Sequence, residues 1–533
     1  MRILIADDLS PEAKIILERI PGAQVDTRVG LDPAALREIL GGYDALAVRS
    51  ATRVTPEILA AAPRLRVIGR AGTGVDNIDL PAATRRGVVV MNAPGGNSIS
   101  VAEHTLALLL ALARRVPDAS RSTRGGKWEK KKYSSGRELQ GKTLGVIGTG
   151  NIGALVVPRA KAFGLKVIAY DPFLGEEAAQ RLGVELVSLP EIFRRSDAVT
   201  LHVPLTEQTR NMVGAAQLQA MKRGALLVNC ARGGLVDENA LAESLKSGHL
   251  GGAALDVFET EPPPADHPLF SCDNFIATPH LGGATEDAQQ SVAVIVCEAM
   301  VEYLTTGTVR NAVNVPSVSG EVLERLGPFL RLGGKLGSFA GQLSAQGACG
   351  APEQVEIVYA GEVAQHPSAP LTAAVLKGVL GTFLAEPVNE VSAPALAKER
   401  GLGVTEVKTS DTSDFASLLT VRLRCGSGTV TEVAGTIVGK REPRLTRVGK
   451  FELEAIPEGA IVVLHNDDKP GVIGNVGRTL GEARVNIAQF ALARDRRSGE
   501  ALALVNVDGA VPPEVLERLR RLPDVRQADQ VVL

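Results

Sequence analysis

The sequence predicts an α/β protein of two doubly wound parallel sheets followed by an α+β tail. Three observations carry this. Short apolar runs alternate with stretches of helical spacing from residue 2 to about residue 280. One run, Thr143 to Ile147, turns through Gly148-Thr149-Gly150-Asn151-Ile152-Gly153 into a helix. From Ala460 onward the order is strand–helix–strand–strand–helix–strand, a ferredoxin-like pattern.

Taken in order, residues 2–6 form a strand, Pro11 to Ile20 a helix and Gln24 to Arg28 a strand. Pro33 to Leu40 is helical, and Asp44 to Val48 is a buried strand ending in Arg49-Ser50. Thr55 caps a helix to Ala61 with Pro56 at its first position. Leu65 to Gly69 is a strand ending in Arg70-Ala71-Gly72-Thr73-Gly74, and Val88 to Met91 is another. Ile99 to Arg115 is a helix that is apolar almost all round and therefore buried, and it marks a domain crossing. His104 on it reads as a satisfied buried histidine rather than a catalyst.

The glycine turn has the spacing of a dinucleotide site. Gly148 permits the tight turn, Gly150 admits a pyrophosphate, and Gly153 lets helix and strand pack closely. The next strand, Lys166 to Tyr170, ends in Asp171, about 20 residues on, where an acid binds the ribose diol. A carboxylate there repels a 2′-phosphate, so the reading is NAD.

Further strands run Ala198–Val203, Ala225–Asn229, Gly252–Val257 and Phe275–Thr278. Ligands of such sheets sit beyond the carboxyl ends of the strands. Three consecutive ends offer Arg232, Glu261 and His280. Hydride transfer from an alcohol needs a base, a group that orients the base and a grip on the substrate. His280 suits the first, Glu261 the second and Arg232 the third. Arg49 and Arg70 at two earlier strand ends suit an anionic substrate.

Composition bounds the rest. A length of 533 residues suggests roughly three or four domains. A 45% apolar and 22% charged chain is globular. Aromatics at 3% leave the cores to Ala, Val, Leu and Ile, and a net charge of −2 argues against a nucleic-acid surface. The five cysteines (Cys230, Cys272, Cys297, Cys349, Cys425) are scattered, which argues against a zinc site or a disulfide framework and fits a reducing compartment. Early acids Asp7 and Asp8 argue against a signal peptide, and no apolar run has membrane-spanning length. The expectation is a cytoplasmic enzyme without metal or membrane.

Together, Gly148–Gly153 with Asp171, the runs Asn229–Asp237 and Asp256–Pro262, and Pro279–Gly283 resemble the D-isomer-specific 2-hydroxyacid dehydrogenases. The runs Val48–Arg53, Gly69–Asn77 and Asn92–Asn97 are similar to the phosphoglycerate-oxidising branch of that family. The resemblance implies Arg232, Glu261 and His280 as the catalytic set. It implies substrate contacts from Arg49, Ser50, Arg70, Gly72 and Asn97. It implies cofactor contacts from Thr73, Gly148, Gly150, Asn151, Ile152, Gly153, Asp171, Cys230, Ala231, Arg232, Asp256, His280, Gly282 and Gly283. Family members commonly carry Ala-Ser after His-Leu-Gly, where this chain has Gly283-Ala284.

The implied architecture is a flavodoxin-like substrate domain (1–98 and 284–315) and a Rossmann NAD-binding domain (99–283). The helix Glu286 to Leu304 makes the return crossing, and 311–320 is a linker. An α+β intervening domain (316–456), alternating strand and helix, carries no catalytic motif. Asp-Lys-Pro-Gly-Val at 468–472 and Arg-Val-Asn-Ile at 484–487 make 457–533 resemble an ACT regulatory domain. That implies an amino-acid effector, L-serine, touching Asp468 and Asn486 at an interface of a homo-oligomer, a tetramer or dimer.

The implied activity is NAD-dependent oxidation of D-3-phosphoglycerate to 3-phosphohydroxypyruvate at the entry to serine synthesis. Two rivals stay open: a hydroxypyruvate or glyoxylate reductase, and an NAD-sensing interaction protein. The basic segment Arg121 to Arg137 reads equally as a solvated loop or as a source of cations for a phosphate, in its own or a neighbouring subunit's site.

Overall fold

Strand–helix alternation yields two parallel sheets in the computed structural model, which describes residues 1–316, 320–347, 351–412, 415–439 and 441–533. The first sheet holds β1 (Arg2–Ile5), β2 (Gln24–Thr27), β3 (Ala45–Val48), β4 (Val67–Arg70) and β5 (Val89–Met91), in the order β2-β1-β3-β4-β5. This is the flavodoxin-type order. β3 and β5 are buried at every residue, as strands covered on both faces must be. The helix Glu286–Thr306 returns to this sheet, and its Val292, Val296 and Met300 share a core with Ile3, Ala45 and Val67.

The second sheet holds β6 (Thr143–Ile147), β7 (Lys166–Tyr170), β8 (Glu185–Leu186), β9 (Ala198–Leu201), β10 (Leu226–Asn229), β11 (Gly252–Leu255) and β12 (Phe275–Ala277). Its order is β12-β11-β10-β9-β6-β7-β8, with every pair parallel. Strand order reverses between β9 and β6, so a crevice opens beyond their carboxyl ends. The helix Ser98–Arg114 buries Val101, Leu109 and Leu112 against Leu144, Val146 and Leu226.

The third sheet corrects an expectation. Strand–helix alternation was expected to resume, yet β15 (Ser417–Arg424), β16 (Val430–Val438), β17 (Glu442–Val448) and β18 (Phe451–Ala455) follow one another as an antiparallel meander. They extend β13 (Gln354–Gly361) and β14 (Gly403–Thr409), the one parallel pair, in the order β14-β13-β15-β16-β17-β18. A helix of 27 residues, Gly320–Gln346, packs on this sheet beside the helix Ala369–Phe383.

The last sheet holds β19 (Ala460–Asp467), β20 (Ile487–Asp495), β21 (Glu500–Val507) and β22 (Val525–Val532), in the order β20-β21-β19-β22 and wholly antiparallel. One face joins the neighbouring domain's core: Ile461, Val463, Leu502, Leu504 and Val531 cluster with Leu336, Phe339 and Leu419. Gln342 and Gln346 of the long helix pair with the edge of β22. Each amide donates to one carbonyl (Val532, Gln530; both 2.8 Å) and accepts the same residue's N–H (3.0 and 3.3 Å).

Several elements end a few residues from their expected limits: Pro11 to Ile20 is helical only over Pro11–Leu17, and Leu65 to Gly69 is extended over Val67–Arg70. Residues 317–319 of the expected linker lie outside the described residues, as does Cys349. Cys230, Cys272 and Cys297 are free, but Cys425 is disulfide-bonded, against the expectation of unpaired thiols. Among the described residues no helix is long and apolar enough to cross a membrane, and no cluster of His, Cys, Asp and Glu could hold a metal ion.

Candidate active site

The glycine turn after β6 has the shape its sequence demands. Gly148 has φ +89°, and a Cβ there would lie 2.6 Å from the His202 carbonyl oxygen. A Cβ at Gly153 would collide with the Gly148 carbonyl, while Gly150 faces open space. Asn151 is exposed and Ile152 half-buried at the start of the helix Gly153–Ala162. Asp171 sits at the end of β7. Its Oδ2 accepts from the Thr149 N–H and hydroxyl, both at 2.8 Å, and its Oδ1 from the Phe173 N–H at 2.9 Å. Burial pushes this carboxyl up, but the three donors outweigh it and hold it below the ordinary carboxylate range. An open glycine, free helix N–H groups and a pinned carboxylate fit a dinucleotide's pyrophosphate and ribose.

The loop after β10 presents Arg232. Asn229, 1% exposed, shapes it: its Oδ1 accepts the Ala231 N–H at 3.0 Å and its Nδ2 donates to the Arg232 carbonyl at 2.8 Å. A Cβ at Gly233 would collide with the Phe258 carbonyl, so this loop lies directly on the one after β11. Cys230 and Ala231 are buried, and burial pushes the Cys230 thiol up to about 12, which rules out a thiolate nucleophile at neutral pH.

The loops after β11 and β12 bring Glu261 to His280, Oε2 to Nδ1 at 2.8 Å. Glu261 Oε1 accepts the Phe258 N–H at 3.0 Å. Burial raises the Glu261 carboxyl, yet the bonds from His280 and Phe258 bring it below its ordinary value. An ionised carboxylate only accepts, so Nδ1 carries the proton and Nε2 offers a lone pair. His280 has φ +55°, a conformation a non-glycine residue adopts only where its surroundings enforce it.

Asp256, 1% exposed, enforces it. Its Oδ1 accepts the Leu281 N–H and its Oδ2 the Gly282 N–H, both at 2.8 Å, and the His280 N–H donates to its carbonyl at 2.9 Å. Thr278 and His104 complete its shell, so His104 is a satisfied histidine as expected.

The first domain supplies the facing wall. Asp7, buried, accepts the Arg49 N–H at 2.6 Å and the Thr52 hydroxyl at 2.6 Å. Asn77 donates to the Arg49 and Thr52 carbonyls and accepts from Arg70 Nε at 3.2 Å. Ser50 is exposed beside Arg49. Burial first, then the charges of Arg232 and Arg49, lower the Arg70 pKa, with Asp76 and Asp7 opposing. Three arginines from two domains thus share one field. Buried Gly72 leaves space that Arg70 fills. Thr73 donates to Asn97 Oδ1 at 2.8 Å, and a Cβ at Gly283 would lie 2.8 Å from Asn97 Nδ2. The small residue at 283 makes room for Asn97.

Asp7, Asp76 and Asn77 were missed as functional positions. Asn77 lies inside the run Gly69–Asn77, but nothing in its spacing shows that it ties two arginine loops together.

Residues 106–282 match the D-isomer specific 2-hydroxyacid dehydrogenase NAD-binding domain model. Residues 325–449 match the D-3-phosphoglycerate dehydrogenase intervening domain model, and residues 460–524 the ACT domain model. The D-3-phosphoglycerate dehydrogenase of Methanocaldococcus jannaschii is 42% identical, covering 99% of this chain and 98% of the relative. The chain belongs to the D-3-phosphoglycerate dehydrogenase family. The Bacillus subtilis member is 38% identical over 98% of each chain. Among solved structures, the NAD complex of Staphylococcus aureus formate dehydrogenase is 30% identical. It has a TM-score of 0.53 and covers 60% of this chain and all of that one. Escherichia coli D-lactate dehydrogenase is 29% identical with a TM-score of 0.53, covering 59% of this chain and all of that one.

As in the family's long form, an ACT domain follows the intervening domain. Its two expected effector residues are engaged separately: Asp468 with Arg494 at 2.7 Å, and Asn486 with Asp508 at 2.8 Å. The basic segment 121–137 starts in the last turn of the helix Val116–Arg124 and holds a second short helix, Lys130–Tyr133, and its Trp128 is 84% exposed. Some of its charge is satisfied locally, Arg121 by Asp118 and Lys132 by Glu129.

Proposed function

We propose that this chain oxidises D-3-phosphoglycerate to 3-phosphohydroxypyruvate with NAD. The observation that carries this is the His280–Glu261 pair, its Glu261 on a loop packed against Gly233, beside Arg232, whose charge acts together with those of Arg49 and Arg70 from the first domain. His280 Nε2 takes the substrate hydroxyl proton, and the Glu261 carboxylate stabilises the imidazolium that forms. Arg232 grips the carboxylate beside the carbinol. Arg49 and Arg70 meet the anionic remainder, with Ser50, Gly72 and Asn97 completing that wall. Bound NAD would supply the hydride acceptor that the carbinol carbon needs. Gly148, Gly150, Asn151, Ile152 and Gly153 would receive its pyrophosphate, and Asp171 its ribose. Thr73, Cys230, Ala231, Asp256, Gly282 and Gly283 line the remainder. In the reverse direction protonated His280 returns its proton to the carbonyl oxygen.

The reading extends to a cytoplasmic homo-oligomer in which L-serine binds at an ACT interface near Asp468 and Asn486 and suppresses turnover. NADH consumption with 3-phosphohydroxypyruvate, with and without L-serine, tests both parts. Turnover that serine suppresses supports the chemistry and the regulation. Turnover indifferent to serine keeps the chemistry alone. Turnover only with glyoxylate or hydroxypyruvate overturns the phosphate assignment.

A further inference from the structure

Behind Glu261 lies a second acid–histidine pair that no step above uses. Glu238 begins the helix Glu238–Lys246, which follows the Arg232 loop. Its Oε1 accepts the Glu259 N–H at 2.7 Å, and its Oε2 meets His267 Nε2 at 2.9 Å. Both side chains are largely withdrawn from water, at 14% and 8% exposure. The helix does not need Glu238 as a cap, because Asp237 already accepts the Asn239 and Ala240 N–H groups. The Leu269 N–H points at His267 Nδ1, 3.4 Å away, so the ring proton sits on Nε2 and is donated to Glu238. The His267 ring stands edge-on to Phe258 at 5.6 Å and against Phe270 at 5.3 Å.

These contacts converge on one stretch of backbone. Glu238 holds the N–H of Glu259, and the neighbouring N–H, that of Phe258, holds Glu261. Gly233, next to Arg232, packs on the same peptide. We propose that Glu238, oriented by His267, is a positioning residue that sets Glu261 against His280 and fixes that pair relative to Arg232. The proposal rests on the reading of the site given above. Neither residue touches substrate; each acts through the Phe258–Glu261 loop.

The test compares the full-length protein with Glu238→Ala, His267→Ala and His267→Gln. Glutamine at 267 can still donate to Glu238. Three quantities are read: kcat and KM with 3-phosphohydroxypyruvate, hydroxypyruvate and glyoxylate; NADH affinity by fluorescence; and amide exchange of the 258–261 segment. In Glu238→Ala and His267→Ala, kcat falls about tenfold or more, as expected for a misplaced catalytic pair, while NADH affinity holds. Exchange across 258–261 quickens and that of β12 does not. His267→Gln recovers most of the lost kcat.

Unchanged kcat in Glu238→Ala overturns the proposal. So does a His267→Gln variant as impaired as His267→Ala, which would make the role one of packing. A wild-type protein that turns over none of the three acids overturns the reading of the site instead. The exchange measurement then decides the bracket alone: unchanged exchange at 258–261 in Glu238→Ala rejects it, and faster exchange upholds it.

Discussion

Arg232 and Asp76 meet across the cleft between the first two domains, Nε to Oδ2 at 3.3 Å. Asp76 is 71% exposed, so this is a solvent-screened pair that an incoming carboxylate can displace. Asp76→Asn should therefore lower KM for 3-phosphohydroxypyruvate, by up to about fivefold on the scale of exposed pairs, with kcat little changed. Steady-state kinetics read it directly. A KM that rises would mean that Arg232 needs Asp76 to hold its position.

The His280–Glu261 pair should carry the proton chemistry. His280→Ala is expected to lower kcat by about 10²–10⁴, and Glu261→Gln by less, with NADH affinity preserved in both. Near-normal turnover in His280→Ala would remove it from the mechanism.

Asp171 is already held by Thr149 and Phe173, so its carboxylate is aimed before any cofactor arrives. Asp171→Ala should weaken NADH binding by roughly 1.5–3 kcal/mol, the range for hydrogen bonds to charged groups, and narrow the preference over NADPH. Titration with both nucleotides measures the two effects; an unchanged NADH affinity would place the ribose elsewhere.

Asp256 makes part of the stability pH-dependent. Burial raises its carboxyl, but the His104, Thr278, Leu281 and Gly282 donors bring the folded value below the ordinary one. Its contribution is thus complete above the unfolded carboxylate value of about 4, and is lost as pH falls through the lower folded value. Melting curves of wild type and Asp256→Asn should differ by a constant amount near neutrality and converge in acid. A difference that persists to the lowest pH would assign the effect to shape rather than charge.

Asn389 links the intervening domain to the first sheet. Its Nδ2 donates to the Gly87 carbonyl at 2.8 Å while its Oδ1 accepts the Val391 and Ser392 N–H groups. Val391 enters the first domain's core, and Gly87, at φ +70°, has no room for a Cβ beside Asn389. Asn389→Ala should cost about 1–3 kcal/mol through the orphaned carbonyl and quicken proteolysis around 384–392. Unaltered proteolysis would show that other contacts hold the domains together.

Much of this was legible because the chemistry sits at strand ends. The glycine triplet, Asp171, Arg232, Glu261 and His280 each follow an apolar run at a strand end, buried in every case but the edge strand β12, and that placement alone put them on one rim. The long helix Gly320–Gln346 was not legible. Its Gly333, Gly334, Gly337 and Gly341 lower helix propensity, yet they are what lets it approach the helix Ala369–Phe383. A Cβ at Gly337 would strike the Val375 carbonyl, and one at Gly378 the Gly334 carbonyl. Tertiary contact overrode the local signal. Asp7, Asn77 and Glu238 were hidden for another reason: they act on backbone amides or carbonyls far along the chain, and His267 acts through the Glu238 side chain 29 residues away, which no periodicity encodes.

The ACT sheet and the neighbouring meander enclose a single core, with the 27-residue helix between them and its glutamines laid along β22. Cutting the chain at the start of β19 would not peel away a removable sensor. It would strip the cover from Leu336, Phe339 and Leu419 and leave an oily, sticky scar on whatever remained. An engineer testing the proposed serine regulation should therefore alter side chains near Asp468 and Asn486 rather than trim the last domain alone.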